Sequence, residues 1–200
     1  MLKKREIIIM TDRRVLMKVT AFLTNGFETV EALAVIDILR RAKVDVETVS
    51  ITGDLEVKSA QNIIVHADKL FSEVDLEQSD VLFLPGGPGH KSYMECPELL
   101  EAIKSHNAKG KRIAAICAAP SILGRLGILS GRKAMCFPGF EEYLQDAQIV
   151  DAPERVVTDG NITTSRGMGT SVDLGLELVK LLCGHDVADS LGKSIQYILV

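Results

Sequence analysis

The chain has 200 residues, 46% of them apolar and 25% charged, which is enough for one well-buried core and short for two. Its formal net charge is -4, with Lys and Arg scattered rather than gathered into a stripe, and this argues against a nucleic-acid interface. No apolar run approaches the roughly 20 residues of a membrane span.

The cysteines Cys96, Cys117, Cys136 and Cys183 form no Cys-x-x-Cys pair, so free thiols in a reducing cytoplasm are expected. At the N-terminus a basic stretch from Met1 to Arg5 precedes an apolar run from Ile7 to Met10. That run is too short for a signal peptide and is broken by Asp12, Arg13 and Arg14. Met17 stands directly before the first convincing strand. The expected division is an extension over residues 1–16, outside the fold, and a single domain over 17–200.

Short β-branched runs alternate with longer amphipathic stretches, the pattern of a mostly parallel sheet with crossover helices. A strand over Lys18–Thr24 leads through Asn25-Gly26 to a helix over Glu28–Ala42, where Val30, Leu33, Ala34, Ile38 and Ala42 recur at helical spacing. A second strand covers Val44–Ile51. Leu55–Val57 and Ile63–Val65 predict a short ribbon that leaves the main sheet. Val81–Leu84 is continuously apolar, as in a strand covered on both faces, and ends at Pro85-Gly86-Gly87.

A helix over Pro97–Ser105 follows, then a buried strand over Arg112–Ile116 and a helix over Ala118–Leu126 stopped by Gly127. Lys133–Phe137 is expected to be the fifth strand. Val156–Thr158 and Ile162–Thr164 flank Asp159-Gly160, a hairpin signal. A helix over Ser171–Cys183 stops at Gly184, and a last short helix from near Asp186 is expected to bury Val187, Leu191 and Ile195.

Ligands of open parallel sheets collect beyond the carboxyl ends of the strands, and three chemically interesting segments fall there. They are Asn25-Gly26-Phe27 with Glu28 and Glu31, then Pro85-Gly86-Gly87, then Cys117. Around Cys117, Ala115 and Ala119 supply the small neighbours that a nucleophile on a tight strand-to-helix turn requires. A thiol at a helix N-terminus is expected to ionise more readily than usual; the bland alternative is an inert buried thiol.

Glu28 and Glu31 lie three apart near a helix start, where dipole complementarity alone would explain them. A carboxyl buried beside a thiol would instead stay protonated and carry protons. Gly86 and Gly87 let backbone amides approach an oxyanion, or make only a tight turn. His90, just past that loop, is a candidate base. His66, His106 and His185 are expected at surface or structural positions. No metal-ligand spacing and no phosphate-binding loop is present, so neither metal nor cofactor is expected.

Five segments in order resemble the ThiJ/PfpI family, in the branch of the parkinsonism-associated protein deglycase and its bacterial relatives. They are Gly26-Phe27-Glu28-Thr29-Val30-Glu31, Ile36-Asp37-Ile38-Leu39-Arg40-Arg41 and Leu84-Pro85-Gly86-Gly87. Ala114-Ala115-Ile116-Cys117-Ala118-Ala119-Pro120 and Thr164-Ser165-Arg166-Gly167-Met168-Gly169-Thr170 complete the set.

The resemblance implies a flavodoxin-like three-layer α/β sandwich with a cysteine nucleophile elbow, and a homodimer. It carries the family's reactive cysteine to Cys117 and its protonated, sulfur-contacting glutamate to Glu31. Gly86, Gly87 and Ala118 fall in the backbone that supports the sulfur or an oxyanion. It also implies glutathione-independent conversion of methylglyoxal or glyoxal to hydroxy acids, or repair of early glycation products, in carbonyl and oxidative stress defence. Oxidant sensing through cysteine sulfinate and holdase-type chaperoning form the alternative.

Two departures qualify this. Phe137, followed by Pro138, stands where several members carry a catalytic histidine. Ala118 stands where the protease-like branch has histidine, so proteolysis is not expected. The expected partner is a small aldehyde or a glycated substrate, with neither nucleic acid nor membrane.

Overall fold

The computed structural model describes residues 17–197, so the extension expected over 1–16 lies outside the described residues. The strands are β1 (Lys18–Leu23), β2 (Asp45–Ser50), β3 (Glu56–Lys58), β4 (Ile64–His66), β5 (Lys69–Leu70) and β6 (Val81–Leu84). They continue with β7 (Arg112–Ile116), β8 (Lys133–Ala134), β9 (Gln148–Ile149), β10 (Val156–Asp159) and β11 (Ile162–Ser165). The main sheet runs in the order β10, β11, β7, β6, β1, β2, β5. Neighbours in it are parallel except for the β10–β11 hairpin.

Parallel neighbours require crossovers, and helices supply them. Helix α1 (Thr29–Arg41) joins β1 to β2. The single turn α2 (Lys91–Met94) and α3 (Pro97–Ala108) join β6 to β7. Helices α4 (Pro120–Arg125), α5 (Ser171–Cys183) and α6 (His185–Ser194) complete the two outer layers.

The alternation of side chains along each strand divides the core in two. Val19, Ala21, Leu23, Val81, Phe83, Ala114 and Ile116 face one way and pack with Ala32, Val35 and Leu39 of α1 and Leu174 and Leu178 of α5. Phe22, Leu82, Leu84, Ile113 and Ala115 face the other way, against Leu99, Ile103, Ile122 and Leu123. Burial of each larger side chain contributes about 1.5–3 kcal/mol. The expected three-layer sandwich is the observed architecture.

Two expectations need correction. Lys133–Phe137 is not the fifth strand of the sheet. Only Lys133–Ala134 is extended, and it pairs with Gln148–Ile149 in a separate ribbon. The position beside β7 belongs to β11, with Ile162 opposite Ile113. Met135 and Cys136 are buried for another reason. Met135 N donates to Thr164 Oγ1 at 3.0 Å, and the chain then turns toward the end of β7. Val187 is the second correction, because it is exposed while Ala188 and Gly192 of α6 face inward. A helix beginning at His185 puts residues 188, 191, 192 and 195 on one stripe and leaves 187 a step of about 100° away. Leu191 and Ile195 do pack against the core.

Candidate active site at the strand ends

The chain runs outward from β1 in both directions, to β2 on one side and through β6 and β7 on the other. The order therefore reverses between β1 and β6, and a crevice forms beyond their carboxyl ends. Three segments meet there: the Thr24–Glu28 turn with the start of α1, the loop after β6, and the residue after β7.

That last residue is Cys117, with φ +65°. A side chain in this left-handed region costs on the order of 1–3 kcal/mol, so surrounding contacts must impose it. They do: Cys117 N donates to Ser165 O at 3.0 Å, and Cys117 O accepts from Phe137 N at 2.8 Å. Ala115 and Ala119, the small flanking residues, are fully buried.

Glu31 enters from the first turn of α1 and is 1% exposed. Its Oε2 accepts from Gly86 N at 3.0 Å, and the carboxyl also meets the Met168 amide and the Cys117 thiol. Burial raises its pKa from 4.5 to about 7, and the charge of Glu28 adds to the rise. The hydrogen bonds from Cys117, Gly86 and Met168 only partly offset that.

Close packing explains the glycines. A Cβ on Gly86 would stand 2.6 Å from Cys117 Cβ and 2.7 Å from Glu31 Oε2. Gly87 has φ +96°, and a Cβ there would lie 2.4 Å from Glu28 N. Without side chains at these two positions, the Gly86 carbonyl receives Glu28 N at 3.0 Å, and the Gly87 amide points to the sulfur.

The thiol departs from the sequence expectation. The helix begins at Pro120, so the sulfur stands before a six-residue helix rather than in its first turn. Burial, reinforced by charge on Glu31 and its hydrogen bond, pushes the Cys117 pKa up to about 12, against the pull of the Gly87 and Ala118 amides. When Glu31 is protonated, the repulsion vanishes and the carboxyl donates a hydrogen bond to sulfur. The pair is therefore half ionised near pH 7, and carboxyl and sulfur hold that charge in common.

A cavity of about 370 Å³ opens over this pair. Glu28, Glu31, Gly87, His90, Cys117, Ala118 and Phe137 line it, and Gly86 lies directly beneath, so the residues singled out in the sequence meet at one place. Pro88, Phe140 and Met168 complete the wall, and no Lys or Arg belongs to it among the described residues. Gln61 Nε2 donates to Glu28 Oε2 at 2.9 Å and holds that acid at the rim.

His90 Nδ1 lies 2.9 Å from Gly87 O, and its ring meets Phe140 edge-on at 5.2 Å and 82°. Burial lowers its pKa from 6.5, opposed by the Gly87 carbonyl and assisted by Lys91 and Arg125. His106 is buried inside the fold, away from the cavity lining.

Sequence reasoning missed Met168 and Phe140 as wall residues. Met168 lay within a segment carrying the family resemblance, which offered a signal; Phe140 had none, because its ring reaches the cavity from an irregular loop. A larger groove of about 630 Å³ lies between α5, α6 and the segment before β10. It contains no cysteine or histidine, and its Arg155 Nε is paired with Asp173 Oδ1 at 2.8 Å.

Fold and site together define an α/β sandwich carrying a cysteine at a strand-to-helix elbow beside a buried acid. Residues 17–181 match the DJ-1/PfpI family, and the chain belongs to it. Protein DJ-1 homolog A of Arabidopsis thaliana is 37% identical over 84% of this chain and 43% of its own length. The chain thus spans about two fifths of that relative. Glutathione-independent glyoxalase DJR-1.2 of Caenorhabditis elegans is 29% identical over 84% of this chain and 89% of its own length. The crystal structure of Drosophila melanogaster DJ-1beta superposes with a TM-score of 0.87 at 30% identity, covering 92% of this chain and 99% of that one.

Proposed function

We propose that the chain is a cofactor-free cysteine enzyme acting on small reactive aldehydes or their early adducts, of glutathione-independent glyoxalase or protein deglycase type. One observation supports this above all: a thiol and a protonatable carboxyl share a proton at the floor of a cavity, with the Gly87 and Ala118 amides directed at the sulfur. Transfer of that proton to Glu31 leaves a thiolate able to attack an aldehyde carbonyl. The same amides are placed to stabilise the oxyanion of the resulting hemithioacetal. A 1,2-proton shift then yields a thioester, and water releases the hydroxy acid. The activity named for the nematode relative agrees with this reading.

Lactate formation from methylglyoxal tests it, comparing the unaltered chain with Cys117→Ser and Glu31→Ala. Loss of product in both variants is expected. Equal lactate in all three proteins removes the proposal.

A redox-sensing role is the second reading, favoured by the same donors, which can hold the oxygens of a cysteine sulfinate. Mild peroxide should then add two oxygens preferentially at Cys117, and substitution of Glu31 should abolish that preference. Indiscriminate oxidation of the four cysteines counts against it. Either role suits stress defence or holdase activity in the cytoplasm. A homodimer is also proposed, since Val30 beside the site and Ile63 and Ile64 on the neighbouring ribbon expose apolar surface.

A further inference from the structure

We propose that His90 is the proton carrier of this site, its Nε2 taking the proton from C1 of the hemithioacetal and returning it to C2. The inference rests on the aldehyde reading and adds the group that carries its central step.

The geometry begins with the ring's other nitrogen. Gly87 O is a carbonyl and can only accept, so Nδ1, 2.9 Å away, must carry the hydrogen. In the neutral ring Nε2 then bears the lone pair, and no hydrogen-bond partner meets it among the described residues. The edge-on contact with Phe140 fixes the ring in the cavity wall.

The charges facing His90 favour the neutral form. Lys91, next in the chain, and Arg125 of α4 repel an imidazolium, and burial acts in the same direction. Glu28, Glu31 and Cys117 share the cavity, where Glu31 and Cys117 hold at most one charge between them and Gln61 binds Glu28.

Glu31 cannot easily serve both tasks. It accepts from Gly86 and Met168 and exchanges its proton with the thiol, so its carboxyl is committed to the sulfur. A base for carbon has to come from elsewhere in the wall. Phe137, Phe140, Pro88, Ala118 and Met168 have no side chain that can act so. His90 remains.

The step balances without an outside oxidant. Removal of the C1 proton to Nε2 leaves an enediolate, whose C2 oxygen takes the proton of the C1 hydroxyl. Return of the imidazolium proton to C2, with the C1 oxyanion becoming a carbonyl, gives the 2-hydroxyacyl thioester on Cys117. C1 has been oxidised, C2 reduced, and water then releases the acid and restores the thiol.

The experiment compares His90→Gln and His90→Ala with the unaltered chain and with Cys117→Ser, using methylglyoxal as substrate. Gln keeps a donor for the Gly87 carbonyl but offers no base. Its kcat/KM should fall by about 100-fold or more while the rate of Cys117 alkylation stays within about threefold. His90→Ala should fall equally and recover in proportion to added free-base imidazole, a response that a merely structural role cannot give. Full turnover in both His90 variants, or a loss that imidazole leaves unrepaired, overturns the inference. If Cys117→Ser still makes lactate, the aldehyde reading itself is at fault; if it is inactive while the His90 variants are not, only the role of His90 falls.

Discussion

The Gly86 amide donates to Glu31 Oε2 at 3.0 Å across 55 positions of sequence, tying the loop after β6 to the first turn of α1. The same contact sets the acid of the Cys117 pair and leaves no room for a side chain on residue 86. Several outcomes are expected from that junction and from the cavity above it.

Gly86→Ala should damage fold and chemistry together. Its Cβ would come within 2.6 Å of Cys117 Cβ and 2.7 Å of Glu31 Oε2. Overpacking of this kind costs about 1–3 kcal/mol. Urea unfolding should show that loss, and iodoacetamide should modify Cys117 at an altered rate. Wild-type values of both would contradict the packing described.

Glu31 makes stability depend on pH in a known direction. Its pKa is 4.5 when unfolded and about 7 when folded, so the native state retains a proton that the unfolded chain releases between these values. Stability therefore falls as pH rises from 4.5 to about 7 and levels off above. The full shift corresponds to about 3 kcal/mol. Denaturation midpoints at pH 5 and pH 8 should differ less in Glu31→Gln than in the unaltered chain; an identical difference would refute the assignment.

The charge of the cavity should select substrates. With Glu28 at the rim, the ionisable Glu31–Cys117 pair at the floor and no Lys or Arg in the wall among the described residues, an anionic 2-oxoaldehyde such as 4,5-dioxovalerate enters against repulsion. Its kcat/KM should lie about tenfold or more below that of methylglyoxal, a difference of about 1.4 kcal/mol. Glu28→Gln should narrow the gap. Preference for the anionic 2-oxoaldehyde would show the opposite polarity.

Phe137 occupies the wall with nearly half its surface exposed, so a smaller polar ring fits there without disturbing the core. Phe137→His, combined with His90→Gln, should recover part of the methylglyoxal turnover lost in His90→Gln alone. The combined variant should also show a pH profile with an acid limb. No recovery in a folded double variant would mean that position 137 cannot reach the reacting carbons.

The fold was legible where strand runs were short, apolar and regular. Arg112–Ile116 matches its strand to the residue, and the Asp159-Gly160 hairpin pairs as expected. It was obscured at Met135 and Cys136, because burial without regular hydrogen bonding produces the same apolar pattern as a strand. The meeting of Cys117, Glu31 and the glycine loop followed from the rule about strand ends. The ionisation of the sulfur did not. That depends on how deeply the pair is buried and where α4 starts, neither of which a residue pattern specifies. His90 was visible as a candidate, but the bond that fixes its tautomer joins it to a backbone carbonyl and leaves no trace in side-chain spacing.

The backbone twist at Cys117 sets reactivity against durability. Because Ser165 and the chain at Phe137 hold that torsion from outside, the scaffold does not need sulfur to keep its shape. A glycine there would relax the torsion and make a sturdier protein, while removing the nucleophile. Retention of a strained thiol at this corner marks a place where the molecule gives up robustness for chemistry.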